Sequence, residues 1–224
     1  DDENLLAEMN LSLYRRHSER LMPNIEHLFK ELNTSIQEID AIALTTGPGS
    51  FTGLRIALST VKGFAAALDI PVVALSTLEV LAYNYCQTEA MLIPMIDARR
   101  ERVYTALFNN YSTQSPFKEK RLWEDKTLRV EDLIEELEII NQKEEDKKYI
   151  FIGSAANKYK DKIKNSKLNY NFGSIAFNKI RGAVIAELGK KYLKAGISHN
   201  VAKLVPNYLK KPQAEINFKK IGSE

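Results

Sequence analysis

AIALTTGPGSFTGLRIALSTVKGFAAALDIPVVALS, residues 41–76, decides how this chain is read. A short apolar run, Ala41–Thr46, enters a turn built from Gly47, Pro48 and Gly49. From Phe51 the pattern turns helical: Leu54, Leu58, Val61, Ala65 and Leu68 recur at steps of three and four. A second apolar run, Ile70–Ser76, is entered through Pro71. The order strand, turn, helix, strand describes a βαβ unit, with parallel strands and a right-handed crossover expected.

Glycine-rich strand-to-helix turns often hold phosphates, so the spacing matters. A Walker A loop needs Gly-x4-Gly-Lys-Ser/Thr. Here Gly53 is followed by Leu54 and Arg55, and no glycine lies five positions before it. Gly47, Gly49 and Gly53 are also one residue too widely spaced for the dinucleotide fingerprint. Asp69 has the right count for a ribose-binding acid but precedes the second strand, at the wrong end of the sheet. That argues against a nicotinamide-dependent reductase. Two readings stay open. In one, Gly47 and Gly49 make a tight turn around Pro48, Ser50 or Thr52 caps the helix, and Gly53 lets it lie close to a strand. In the other, Gly47, Gly49, Ser50, Thr52 and Gly53 present a helix N-terminus to an anion, shared with a partner.

The same helix carries a second signal. Ser59, Gly63 and Ala67 are four residues apart, a small-residue ridge opposite the leucine stripe. Such a ridge lets another helix approach closely. That helix is either a partner's or the chain's own His17–Leu32, where Leu21, Ile25, Leu28 and Leu32 form an apolar stripe widened by Met22 and Phe29. In that first helix Ser18 is the expected cap, and Pro23 belongs to the first turns or kinks it.

Working outward, Asn4–Leu13 alternates and reads as a strand. Residues 90–108 read as an antiparallel hairpin around Asp97–Glu101 and open a second half of the molecule. Residues 109–127 read as polar loop with a possible strand. Arg129–Ile140 is an amphipathic helix, Gln142–Lys148 a charged connector, and Tyr149–Ala156 a strand ending in a glycine turn. Ile180–Gly196 is a helix stopped by glycine, and Lys203–Glu215 an extended tail. The division expected is 1–89 for a first lobe and 90–224 for a second.

Composition sets the bounds. The chain has 224 residues, 44% hydrophobic and 27% charged, and a net charge of +3, which does not imply nucleic-acid binding by itself. One cysteine, Cys86, forbids an internal disulfide and fits a reducing, cytoplasmic compartment. Three histidines and one cysteine make a zinc site hard to assemble. No apolar run reaches membrane-spanning length.

The segments HSERLMPNIEHLF, ALTTGPGSFTGLRIALSTVKGFAAAL, IPVVALSTLEVLA, DARRERVYTALF and PNYLKKPQAE resemble, in this order, the TsaB (YeaZ) family. The resemblance runs over nearly the whole chain and is densest over residues 17–108. It implies an α/β fold of the two-lobed actin/Hsp70-like (ASKHA) type, each half a mixed sheet with helices. It also implies a front strand with an Asp-Thr-Ser-type segment, which does not occur here. The function implied is a part in forming threonylcarbamoyladenosine next to the tRNA anticodon. The chain would serve as a non-catalytic subunit that binds the catalytic TsaD paralogue and the TsaE ATPase. Arg16, His17, Arg20, Leu21, Asn24, Ile25 and Leu28 of the first helix, with Arg55, Ile56, Ser59, Thr60, Gly63 and Ala67 of the second, would face the partner. Without the partner, a homodimer through the same surface is expected, because an apolar helix pair would otherwise face water. No cofactor is expected on this subunit alone. ATP or ADP at the complex interface and indirect tRNA contact stay open.

His17 and His27 lie ten residues apart, about 80° and some 15 Å apart on a helix, and cannot share a metal. No HExxH segment occurs, and no Ser/Cys–His–acid set can be argued. The rival class is a stand-alone ATP-using enzyme or glycoprotease-like peptidase. Lys158, Lys160, Lys162, Lys164 and Lys167 form either a solvated face or a tRNA-phosphate contact. Arg99, Arg100 and Arg102 with Asp97 form either a surface ion cluster or a partner or nucleotide contact. Cys86 reads as a packed thiol.

Overall fold

The computed structural model describes residues 3–11, 17–85, 88–109, 121–143 and 147–209. Cys86 and all residues beyond Leu209 lie outside them, as does Arg16.

The βαβ unit forms as read. β1 (Ile42–Gly47) and β2 (Val72–Ser76) pair in parallel, from Ile42 opposite Val72 to Thr45 opposite Leu75. Between them runs α2 (Phe51–Leu68). Ser50 caps it, its Oγ accepting the Gly53 N–H at 3.3 Å. Asp69, the residue too early for a ribose contact, ends it in the left-handed conformation at φ 53°. The helical stripe divides in two. Leu58, Val61 and Ala65 are buried against Leu44 and Val72, whereas Leu54 and Leu68 are half-buried.

α1 (His17–Glu31) precedes this unit, with Pro23 in its second turn. Ser18 lies inside the helix instead of capping it. Residues 4–11 form no strand, contrary to their alternating pattern. They are held through a side chain instead of a ladder. Glu8 accepts from Arg181 Nη2 at 2.7 Å and from the Ala183 N–H at 2.9 Å. It thereby caps α7 (Gly182–Lys194), whose own N-cap residue, Arg181, makes no side-chain cap bond.

The second sheet is five-stranded and mixed, in the order β5-β4-β3-β6-β7. β3 (Met91–Asp97) and β4 (Arg102–Phe108) form the expected hairpin. Arg99, Arg100 and Glu101 at its tip all have positive φ. β5 (Arg121–Arg129) makes a full strand of the segment read as mainly loop. α4 (Val130–Lys143) follows, then β6 (Lys148–Ile152), parallel to β3, and β7 (Asn169–Phe172). Two five-residue helices, α5 (Ser154–Lys158) and α6 (Lys160–Lys164), occupy the lysine-rich stretch. Residues 154–156, read as the end of a strand, begin α5.

A further element that escaped the sequence reading is the helix after β2. α3 (Thr77–Tyr83) buries all seven of its residues, so it shows no amphipathic period. It packs in a core shared by both sheets, with Leu75 and Leu81 beside Leu92, Phe108, Ile152 and Leu188. α7 also bridges, lying on β1 where a Cβ on Gly189 would stand 2.5 Å from that of Ala43.

Candidate docking face and glycine-rich turn

At 100° per residue, α2 presents three faces. The first is the buried stripe. The second, formed by Ala57, Thr60, Phe64 and Leu68, lines a groove of about 890 Å³. α1 supplies the opposite wall through Leu21, Ile25, Leu28 and Phe29, and Ala43 and Thr45 lie along its floor. Among its described side chains, α1 has no buried residue; Leu21, Asn24, Ile25 and Leu28 are half-buried and Arg20 is exposed. Its apolar stripe is turned into a groove that the described residues do not fill.

The third face carries the small-residue ridge. Ser59, Gly63 and Ala67 are exposed, together with Ala66, while Ile56 and Thr60 are half-buried at its margin. A Cβ on Gly63 would meet nothing within 4 Å. Of the two helices that the ridge could have met, α1 is therefore not the one. Along the far margin Arg55 is exposed but held: its Cζ lies 3.9 Å from the Phe51 ring centroid and its Nε donates to Tyr208 Oη at 2.9 Å. His17 begins α1, but its side chain is not among those described.

The turn leading into α2 is built for close packing. Gly47 has φ 129°, and a Cβ there would come 2.8 Å from Asn207 O, so both the backbone and the space require glycine. Gly49 and Ser50 border the groove, Thr52 is exposed, and the Gly53 N–H is spent on Ser50. A smaller cleft of about 380 Å³ separates the turn from the second sheet, with Pro48, Gly49, Thr77, Ile96, Ser154 and Asn178 on its walls. Asn178 is committed to Gly153 N and Gly173 O, whereas the buried Thr77 Oγ1 finds no hydrogen-bond partner. The cleft offers few charged groups and no acid–base pair.

The other candidates resolve into structural contacts. Asp97 pairs with Lys158 Nζ at 2.7 Å, not with the hairpin arginines. Burial works against its charge, but Lys158, the Arg99 amide and Tyr159 hold its carboxyl below the ordinary range. Arg102 instead donates to Thr127 O. Lys162 pairs with Glu101 and Glu131, Lys164 with Asp161, and Lys160 lies over the Phe172 ring. The lysine stretch is thus largely neutralised by its own neighbours. Among the described residues no cluster of His, Cys, Asp or Glu could hold a metal. No helix there is long and apolar enough to cross a membrane.

A buried polar network was missed from sequence. Arg121 reaches Asp125 at 2.5 Å and Glu79 at 4.0 Å. Ser76 Oγ donates to Asp125 at 2.7 Å and Tyr192 Oη to Glu79 at 2.6 Å. Burial pushes the Glu79 carboxyl up, only partly offset by Tyr192 and Arg121. These residues come from β2, α3, β5 and α7, elements spread along the sequence, and no motif spacing links them.

Comparison with known proteins adds the lineage. The family described as "TsaD: tRNA N6-adenosine threonylcarbamoyltransferase" matches residues 5–218. The tRNA threonylcarbamoyladenosine biosynthesis protein TsaB of Bacillus subtilis is 33% identical over 97% of this chain and 90% of its own length. The protein of the same name from Escherichia coli is 34% identical over 41% of each chain. Among solved structures, YeaZ from Pseudomonas aeruginosa aligns with a TM-score of 0.65 at 24% identity, covering 87% of this chain and 85% of that one.

Proposed function

This chain belongs to the TsaB (YeaZ) family of tRNA threonylcarbamoyladenosine biosynthesis proteins, and from that membership we propose that it acts there as a non-catalytic docking subunit. Its partner is the catalytic TsaD-type paralogue, with the TsaE ATPase joining the assembly. The docking face is the outer side of α2, Ser59, Gly63 and Ala67, continued by Arg55 and Ile56 and extended by Arg20 and Asn24 of α1. The observation that carries this reading is the open ridge: a long helix shows small residues to solvent where a Cβ on Gly63 meets nothing. A close-packed helix pair needs that surface, and α1 does not use it.

The experiment is co-purification with a TsaD-type protein. Gly63→Arg and Ala67→Arg place long cations on the ridge without disturbing the buried stripe. Both are expected to abolish the complex while leaving the variants folded. An intact complex with both variants rejects the assignment. The rival, a stand-alone ATP-using enzyme or peptidase, predicts nucleotide binding or turnover by the isolated chain. Calorimetry with ATP and a peptide-cleavage assay decide against it if neither gives a signal.

A further inference from the structure

The margin of the outer α2 face carries a cation held in place without an anion. Arg55 is exposed near the start of the helix. Its guanidinium lies on the face of Phe51, with Cζ 3.9 Å from the ring centroid, and its Nε donates to Tyr208 Oη at 2.9 Å. The two rings stack on each other at 4.9 Å. Both are anchored through the residue before them. Phe51 follows Ser50, the cap of α2, and Tyr208 follows Asn207, whose N–H donates to Thr46 O at 2.8 Å. A free arginine loses much side-chain freedom when it binds an anion. The clamp has already ordered this one, so less of that cost remains for binding.

With Nε engaged, the donors that remain are Nη1 and Nη2. Among the described residues neither has a hydrogen-bond or ion-pair partner. Elsewhere in the chain Arg121, Lys126, Lys158, Lys162 and Arg181 each meet a carboxylate. The α2 sequence, Phe51 to Leu68, contains no Asp or Glu, and its other cation, Lys62, donates to Ala202 O at 3.1 Å. We propose that Arg55 is the recognition point for a carboxylate of the docking partner, an Asp or Glu side chain taken by Nη1 and Nη2 as a two-point ion pair. This rests on the reading of the outer side of α2 as the docking face. The planar end of a guanidinium matches both oxygens of a carboxylate. An RNA backbone is a run of charges that calls for several cations along a track, and α2 offers one that is unclaimed. The ridge beside it is small and uncharged, a shape that suits a helix. Gly63 lies about 12 Å along the axis from Arg55, at 1.5 Å per residue. A partner helix that crosses closely at Gly63 at a shallow angle therefore carries its acid about two turns from the crossing.

The test is the affinity of the full chain for a TsaD-type paralogue, measured by surface plasmon resonance at low and moderate salt. Arg55→Met is expected to weaken the complex about tenfold, mainly through faster dissociation, and to flatten its salt dependence. Arg55→Lys keeps the charge without the fork and is expected to weaken it about threefold. Arg55→Glu is expected to weaken it about a hundredfold, and changing one acid on the partner's docking helix to arginine is expected to restore binding. Arg55 is exposed, so all three variants are expected to melt close to wild type. Wild-type affinity in Arg55→Met overturns the proposal, and if Gly63→Arg still abolishes the complex, the docking face itself stands. A complex that survives both Gly63→Arg and Ala67→Arg rejects that face and this proposal with it. Two other results overturn the proposal alone. If Arg55→Met spares the complex but weakens its hold on a tRNA transcript, the fork belongs to phosphate. If it spares the complex but lowers self-association of the isolated chain, the carboxylate is that of a second copy. Failure of every acid-to-arginine change to rescue Arg55→Glu also overturns it.

Discussion

Replacing Arg121 by methionine strikes a buried charge network that ties the two sheets together. The Arg121, Asp125 and Glu79 side chains are only 14%, 7% and 8% exposed. Methionine keeps an unbranched stem but loses the guanidinium, whose Cζ lies 4.8 Å from the Phe108 ring centroid, so the loss is mainly electrostatic. Two carboxylates then remain buried without their cation. Breaking a buried pair in this way costs about 3–5 kcal/mol. Asp125 keeps Ser76 and Glu79 keeps Tyr192, so we expect the low end, about 3 kcal/mol at neutral pH. For a chain of this size that lowers Tm by about 6–12 °C. The pH dependence identifies the cause. Burial raises the Glu79 pKa above 4.5 even with Arg121 present. A raised folded value means that its contribution is full below the unfolded value and is lost as pH rises through the folded one. Removing Arg121 raises it further. The deficit of the variant must therefore shrink as pH falls toward the ordinary carboxylate range, because protonation relieves the unpaired charge. Urea unfolding followed by Trp123, the single tryptophan and itself on β5, reads both quantities. A variant within about 0.5 kcal/mol of wild type at neutral pH refutes the reasoning. So does a deficit that does not shrink with acid.

Two further outcomes are expected. Gly189→Ala drives a methyl to 2.5 Å from Ala43 Cβ and should destabilise by about 1–3 kcal/mol, whereas Gly63→Ala, facing open space, should stabilise by about 0.5–1 kcal/mol; thermal melts of both against wild type check the contrast. Glu8→Gln should cost about 1–2 kcal/mol at neutral pH, because the Arg181 hydrogen bond holds the Glu8 carboxyl below its ordinary value against the opposing effect of burial. A lowered folded pKa gives stability that is present above the unfolded value and lost as pH falls through the folded one, so wild type and variant should converge in urea titrations near the acid end.

What could be read in advance was local. β1, α2 and β2 follow from the steps of Leu54, Leu58, Val61 and Ala65 between two apolar runs, and of the two cap candidates, Ser50 and Thr52, Ser50 makes the bond. The β3–β4 hairpin followed from two strand-forming runs around a polar turn. The failures lie where long-range partners decide. Asn4–Leu11 alternates well enough for a strand, but its fixed point is Glu8, bound to residues 173 and 175 positions away. α3 has no polar face to give a period, because both sheets cover it. The Ser76–Asp125 and Tyr192–Glu79 bonds span 49 and 113 positions, and no spacing rule reaches that far.

The same distinction bears on the candidate site. A ridge at Ser59, Gly63 and Ala67 was visible as spacing, but spacing alone left open whether α1 or another molecule meets it. Geometry removes the first choice. α1 turns Leu21, Ile25 and Leu28 toward the groove floored by Ala43 and Thr45, on the other side of Thr60. Leu21, Ile25, Leu28 and Thr60, grouped in sequence with the outward residues, line the groove between α1 and α2, while Gly63 and Ala67 stay exposed on the outer side of α2. This division separates two kinds of variant. Enlarging Gly63 should block docking with stability intact. Truncating Leu28 should instead loosen α1, changing the angle at which Arg20 and Asn24 flank the ridge. Loss of binding from the first class alone would place the contact on α2, and equal loss from both would mean that the contact needs the two helices held as one surface.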